Sequence, residues 1–531
     1  MSDPAESLPD DIDALRALVR SALVERDAAR AERDHAVEQI DRLRHLLKEL
    51  QRARFGRSSE RLDPDQLQLA LEEVEQALAQ AEAEIEKRAV LPSRAAKPRS
   101  GERQSLPAHL PRVEVVITPE DTACPCCKGP MHVIGEETAE RLDVIPAQYR
   151  VLVTRRPKYA CRACSNGIVQ APAPERLIKG GLPTEAMVAH VLVSKYAWHL
   201  PLYRQTQMLR SQGIVIERMT LASWVGYAAA ELAPVVARLR EILLGSVKLA
   251  VDETPVPVLD PGRGRTKIGY FWSMARDDRP WGNDDLPAVA YSYAPGRGAE
   301  HAIKLLAGYC GIVQCDGYAA YKQLLDRRRN SGPAALAVCW AHWRRRFYEI
   351  AKAGPAPIAS EALTRIAALY AIEKRISGRS AAERAAVRQA ESKPLIDALK
   401  SWLESELRRV SGKSVIAGAI RYGFKHWDGL VRFLADGRIE MDTNAVERTI
   451  RPVALTRKNA LFAGCDQGAA NWAAVASLIE TCKLNGNGVD PQAYIEDVLT
   501  KLVNLWPASR IDDLMPWAWA RAQNSTERIA A

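Results

Sequence analysis

The chain has 531 residues, 47% of them hydrophobic and 26% charged, with 74 Lys and Arg against 65 Asp and Glu for a formal net charge of +9. This balance excludes a disordered acidic chain, a collagen-like chain and a small disulfide scaffold, and the length suggests roughly three or four domains. Met1 to Glu6 lacks the basic-then-apolar layout of a signal peptide, and no uncharged apolar run approaches about 18 residues. The expectation is therefore a cytoplasmic, multidomain protein without a membrane segment, whose ten cysteines are reduced thiols or metal ligands before they are disulfides.

The first segment, residues 1–86, carries a heptad. With Ile12 at position a, the a positions are Ile12, Val19, Arg26, Arg33, Ile40 and Leu47, and the d positions Leu15, Ala22, Ala29, Ala36, Leu43 and Leu50. Apolar ends and an Ala/Arg centre predict a leucine-zipper coiled coil and a homo-oligomer; the alternative is one amphipathic helix folded onto its own chain. Phe55 to Ser59 breaks the helix, and Leu67, Leu71, Val74, Leu78 and Ile85 mark a second helical face. Residues 87–115 form a basic linker punctuated by Pro92, Pro98, Pro107 and Pro111.

Residues 116–172 hold two C-x-x-C knuckles, Cys124 with Cys127 and Cys161 with Cys164. Four thiolates suit one tetrahedral structural Zn²⁺ in a zinc-ribbon-like module; a redox pair is the rival reading, and Cys126 can stand in for Cys127. A hairpin of Leu142–Ile145 and Tyr149–Val153 would bring the knuckles together. Arg150, Arg155, Arg156, Lys158 and Arg162, with no acid among residues 147–162, offer a surface to DNA phosphates. The other cysteines read as ordinary small buried residues.

Residues 178–245 read as helical. Leu202 to Leu209, Gly213, then Thr220 to Val225 make a helix-turn-helix candidate or a plain packing unit. Five short apolar runs follow, bounded by turn residues: Val247–Val251, Gly269–Met274, Ala288–Tyr293, Gly311–Cys315 and Ala335–Cys339. They predict strands, and helical patterns at His301–Leu306 and Ala319–Leu325 make the core, residues 246–482, α/β. Residues 355–430 turn back to helix as an insertion, and a helical tail, residues 484–520, begins after the turn at Asn485–Gly488.

Asp252 and Asp316 each follow an apolar run, where α/β proteins place ligands. Glu447 lies in a helix start. Singly each has an ordinary use: the aspartates as turn or cap residues, Glu447 as the partner of Asn444 in a capping box. Together, two carboxylates on neighbouring strands and a third from a helix could hold a pair of Mg²⁺ ions (or Mn²⁺) for in-line attack on a phosphodiester. Arg344, Arg345, Arg346, Arg448, Arg451, Arg457 and Lys458 would then hold the DNA backbone.

The chain resembles the DDE transposases of bacterial insertion sequences, in particular the insertion-sequence-66 family. Phe55-Gly56-Arg57-Ser58-Ser59-Glu60, the two knuckles, Val251-Asp252-Glu253-Thr254, Cys315-Asp316-Gly317-Tyr318, Cys339-Trp340-Ala341-His342 and Asn444-Ala445-Val446-Glu447-Arg448 carry the resemblance in order, over residues 12 to 520. It implies a multidomain α+β protein with a ribonuclease-H-like catalytic core in which Asp252, Asp316 and Glu447 are the triad. It also implies Mg²⁺-dependent cutting at the element's terminal inverted repeats, joining to target DNA, companion proteins encoded by the same element, and a bacterial, nucleoid-associated location. His342 matches a family motif as a buried or DNA-contacting residue. The rivals are a non-catalytic zinc-containing DNA-binding regulator and a related nuclease that cuts without joining.

Overall fold

The computed structural model describes residues 148–160, 168–260, 265–326, 332–484 and 488–530, together with positions 13, 19 and 23. The chain divides into two units, Met1–Val153 and Thr154–Ala531. The rest of the heptad, the Phe55–Glu60 motif, the basic linker and the four cysteines Cys124, Cys127, Cys161 and Cys164 lie outside the described residues.

The expected hairpin arm Tyr149–Val153 is not a strand. Val151, Leu152 and Val153 are 88%, 70% and 69% exposed, with no strand paired to them among the described residues; the other expected arm, Leu142–Ile145, lies outside those residues. The antiparallel pair is instead β1 (Lys158–Ala160) with β2 (Ile168–Gln170), Lys158 opposite Gln170. Arg156 closes this ribbon by donating to Ala171 O at 2.8 Å, and the Gln170 amide donates to Arg156 O at 2.9 Å.

Three helices follow: α1 (Glu185–Tyr196), α2 (Leu202–Ser211) and α3 (Arg218–Leu244). Thr184 caps α1 by accepting the Met187 N–H at 3.2 Å. Gly213, at φ +79°, ends α2 in the left-handed conformation that only glycine adopts at no cost.

The sheet has every strand expected from the apolar runs: β3 (Lys248–Asp260), β4 (Arg265–Arg276), β5 (Ala288–Ala294), β6 (Ile312–Cys315) and β7 (Ala335–Val338). A short helix α4 (Ala299–Leu305) precedes β6 and a 3-10 helix, Ala319–Leu325, follows it. The order is β5-β4-β3-β6-β7. β3, β4 and β5 pair antiparallel, whereas β6 and β7 run parallel to β3. β3 is much longer than its apolar run, because it continues past β6 as an antiparallel ribbon with β4.

The remaining chain is helical: α5 (Trp340–Ala353), α6 (Pro357–Ile376), α7 (Ala381–Val387), a π turn (Arg388–Ser392), α8 (Lys393–Arg409), α9 (Val415–Lys425), α10 (Trp427–Val431), α11 (Asn444–Ala460), α12 (Asp466–Lys483), α13 (Pro491–Val503) and α14 (Pro516–Ala530). By length and composition alone α3 is apolar enough to cross a membrane. Its stripe of Leu221, Trp224, Ala228, Leu232, Val235, Leu239 and Leu243 is buried, packed with α12, α13 and β5. That burial makes α3 an amphipathic core helix, with Met219 and Tyr227 exposed on its other face.

A second core lies under the insertion. Trp340, Trp343 and Phe347 line one face of α5 and meet Ile366, Leu369, Leu399, Leu403, Ile420 and Phe433. Both indoles are satisfied, Trp340 by Leu430 O at 2.8 Å and Trp343 by Ala419 O at 2.9 Å. The Trp343 ring lies where a Cβ on Gly423 would stand. Gly423→Ala is therefore expected to destabilise the insertion by about 1–3 kcal/mol, seen as a lower denaturation midpoint; an unchanged midpoint would contradict this packing.

Candidate active site

The parallel pairing of β3 with β6 ends at Ala250 opposite Gln314. Asp252 stands two residues beyond it on β3, opposite Ser273 of β4. Asp316 follows Cys315, the last residue of β6. The two aspartates thus leave the carboxyl ends of adjacent parallel segments, the usual ligand edge of such a sheet. Asp316 Oδ1 accepts the Tyr318 N–H at 2.8 Å across Gly317, whose φ is +87°, and its carbonyl accepts the Tyr422 hydroxyl at 2.7 Å. Asp252 Oδ1 accepts the Glu253 N–H at 2.8 Å.

One oxygen each of Asp252, Glu253 and Asp316 lies within 4.8 Å of the others. Glu253 is already used. Its buried carboxylate takes Arg297 Nε at 2.8 Å, Arg297 Nη2 at 2.6 Å and the Tyr321 hydroxyl at 2.7 Å. Sequence reasoning quoted Glu253 without assigning it a place; the signal was a second acid adjoining the first in an apolar run, which has to find a cation inside. Burial pushes Asp252 up to about 7, with the charges of Glu253 and Asp316 adding to the rise; the Glu253 N–H and the nearby His342 oppose it.

Glu447 stands in the first turn of α11. The expected capping box is absent: Thr443, not Asn444, is the N-cap, and it makes no side-chain cap bond. Its hydroxyl donates instead to Glu447 Oε1 at 3.3 Å. The Asn444 N–H is taken by Asp442 Oδ1 at 3.2 Å, so the Glu447 carboxylate has no capping duty. Gln314 holds the approach to α11 by donating to Glu440 O and Asp442 O, both at 2.7 Å, and α11 packs on β3 and β4. Glu447 groups with Cys339 and His342, one ligand atom of each within 4.8 Å of the others. The expected acids therefore fall into two groups, Asp252 with Asp316 and Glu447 with His342, and His342 lies near enough to Asp252 to act on its carboxylate.

The expected basic residues divide by what holds them. Arg345 and Arg346 are exposed on α5 and Arg344 is half-buried; Arg346 lies 4.0 Å over the Tyr422 ring, the same tyrosine that contacts Asp316. Arg448, Arg451 and Lys458 are exposed on α11. Arg457 turns inward, donating to Thr254 Oγ1 at 3.3 Å and to Pro255 O, and so ties α11 to β3. Arg150, Arg155, Arg156 and Lys158 are all exposed.

A mixed α/β unit with oxygen donors at the end of its sheet and cations on the flanking helices has the composition of an enzyme acting on a polyanion. Residues 180–471 match the family model described as Transposase IS66 family. The chain belongs to the IS66 transposase family. Three further models of the family match in order: a leucine-zipper model described as Transposase C of IS166 homeodomain over residues 42–115, the zinc-finger binding domain of transposase IS66 over 121–165, and the IS66 C-terminal element over 477–517. The zinc-finger match spans all four knuckle cysteines and supports structural zinc; the zipper match begins inside the heptad and runs through the stretch read as a linker. Among relatives in Sinorhizobium fredii, uncharacterized protein y4qI is 43% identical over 97% of this chain and 98% of its own length. Uncharacterized protein y4jD is 46% identical over 79% and 82%, and uncharacterized protein y4hP 37% identical over 92% and 90%.

Proposed function

We propose that the protein is a DDE transposase that cuts DNA at the terminal inverted repeats of its element and transfers the freed strand to target DNA. The observation that carries this reading is the meeting of Asp252 and Asp316 at the ends of adjacent parallel strands, with Glu447 offered by a helix packed on the same sheet. The strand order, 3-2-1-4-5 counted from β3, with three antiparallel strands and two parallel ones, supports a ribonuclease-H-like core.

Asp252, Asp316 and Glu447 supply only oxygen donors, which fits Mg²⁺ or Mn²⁺. Held by these three carboxylates, such ions would supply activation of a water or a DNA 3′-hydroxyl and stabilisation of the leaving oxygen. The protein's own share is to hold the ionised carboxylates in place and to fix the DNA backbone. Arg345, Arg346, Arg448, Arg451 and Lys458, exposed on α5 and α11, would meet phosphates together with the half-buried Arg344; Arg150, Arg155, Arg156 and Lys158 would add contacts of their own. Arg457 serves through α11 rather than by touching DNA. Assembly through the N-terminal zipper, companion proteins from the same element, and work on the bacterial nucleoid in the cytoplasm complete the proposal.

In the metal-free site a proton and a cation compete for Asp252. Its raised pKa means that the ionised, ligating form gains as pH rises through about 7, and metal binding releases the proton. The Mg²⁺ concentration for half-maximal reaction is expected to climb as pH falls from about 8 to about 6; a pH-independent requirement would contradict burial as the cause.

The test is incubation of purified protein with labelled element ends, target DNA and Mg²⁺. Joined products are expected. Nicked ends without joining would assign the nuclease alternative, and binding without cleavage the regulator.

A further inference from the structure

The motif Cys339-Trp340-Ala341-His342 is not used by the acidic pair. Cys339 is the N-cap residue of α5 and His342 lies in its first turn, so residues three apart set sulfur and imidazole along one side of the helix start. Glu447 comes to them from α11. One ligand atom of each lies within 4.8 Å of the others, and His342 Nδ1 is 3.9 Å from Glu447 Oε1. His342 Nδ1 is buried and has no hydrogen-bond partner among the described residues. A buried ring nitrogen without a partner needs an explanation, and a ring grouped with a carboxylate and a thiol has one in a shared ion. Thr443, through its side chain and its backbone, and the backbone of His342 hydrogen-bond Cys339, outer contacts of the kind that steady a ligating sulfur.

The donor set is one sulfur, one nitrogen and one oxygen. Mg²⁺ avoids such a set and Zn²⁺ prefers it. Tetrahedral zinc, with bonds of roughly 2.0 Å to nitrogen and oxygen and about 2.3 Å to sulfur, needs only a modest inward closing of these side chains. Three protein ligands would leave the fourth position open to water or a phosphate oxygen.

We propose that Cys339, His342 and Glu447 form a zinc subsite beside the acidic pair, and that zinc bound there withdraws Glu447 from the Mg²⁺-dependent reaction and so inhibits it. Zinc binding releases the Cys339 thiol proton to solvent. The subsite stands on its own geometry; the inhibition rests on the function proposed above.

Full-length protein is dialysed against micromolar Zn²⁺ and its zinc content counted by mass spectrometry. Wild type is expected to retain one equivalent more than His342→Ala or Cys339→Ser, with the four-cysteine zinc common to all. Glu447→Gln should weaken the extra site at least tenfold. Equal zinc content in wild type and His342→Ala overturns the subsite; His342 is 31% exposed, so this variant carries the test even if Cys339→Ser misfolds. Strand transfer at fixed Mg²⁺ is then followed as one equivalent of zinc is added. Loss of product, reversed by chelation, is expected. Unchanged product overturns the inhibition and leaves the subsite standing, and absence of strand transfer in Mg²⁺ alone overturns the proposed function while the zinc count still decides the subsite.

Discussion

Asp252→Asn is expected to abolish strand transfer, with a rate loss of about a thousand-fold or more, while binding of the element's ends stays within about twofold. Losing a ligand that positions a catalytic cation removes several kcal/mol of transition-state stabilisation, and about 4 kcal/mol corresponds to a thousand-fold. The amide is nearly isosteric and keeps an oxygen to accept the Glu253 N–H. Stability moves the other way. A carboxylate whose folded pKa is raised binds its proton more tightly when folded, so ionising it disfavours the fold as pH rises through about 7. The variant should accordingly be no less stable than wild type at pH near 8. Wild-type strand transfer by Asp252→Asn would remove Asp252 from the chemistry; lost end binding or a lowered melting temperature would mean that the residue supports the fold instead.

Arg388→Met is expected to lower the stability of the insertion by about 3–5 kcal/mol, the cost of leaving a buried charge unpaired. Arg388 is fully buried in the π turn. Its Nε and Nη2 donate to Glu373 at 2.8 and 2.6 Å, and its Nη1 donates to Phe433 O at 2.9 Å and Asp436 O at 3.1 Å. Arg384, 1% exposed, adds a longer contact to Glu373 at 3.5 Å and another to Pro280 O at 3.4 Å. Removing Arg388 therefore frees two carbonyls and leaves Glu373 to the more distant Arg384. The segment it holds runs on through Glu440 and Asp442 to the start of α11, so strand transfer should fall as well. A denaturation midpoint within about 1 kcal/mol of wild type would show that water replaces the guanidinium, as at an exposed ion pair.

The sheet was legible because each strand is a short apolar run between turn residues, and Val247–Val251, Ala288–Tyr293 and Gly311–Cys315 carry that signal directly. The extent of β3 was not, since Asp252, Glu253, Pro255 and Pro257 interrupt its pattern; only the ribbon with β4 keeps these residues extended. Helix α5 escaped notice because Trp340, Trp343 and Phe347 follow a strand within two residues, leaving no turn signal. The capping box at Asn444 failed for a tertiary reason: Gln314 anchors Glu440 and Asp442 and sets the helix start one residue earlier. The arrangement of the acids was half legible. Strand ends place Asp252 and Asp316 near each other, but the pairing of Glu447 with His342 depends on how α11 crosses the sheet, which no local pattern encodes. For the same reason the inward turn of Arg457 is invisible in a sequence where it reads like its exposed neighbours Arg451 and Lys458.

The central claim is that Asp252 acts by holding a divalent cation. A metal-preference switch tests it most directly: strand transfer by Asp252→Cys measured in Mg²⁺ and in Mn²⁺. A thiolate is a poor ligand for Mg²⁺ and a better one for a softer ion. The account predicts no product in Mg²⁺ and partial recovery in Mn²⁺, beyond any stimulation that Mn²⁺ gives the wild type. Equal activity of Asp252→Cys and wild type in Mg²⁺ would contradict it.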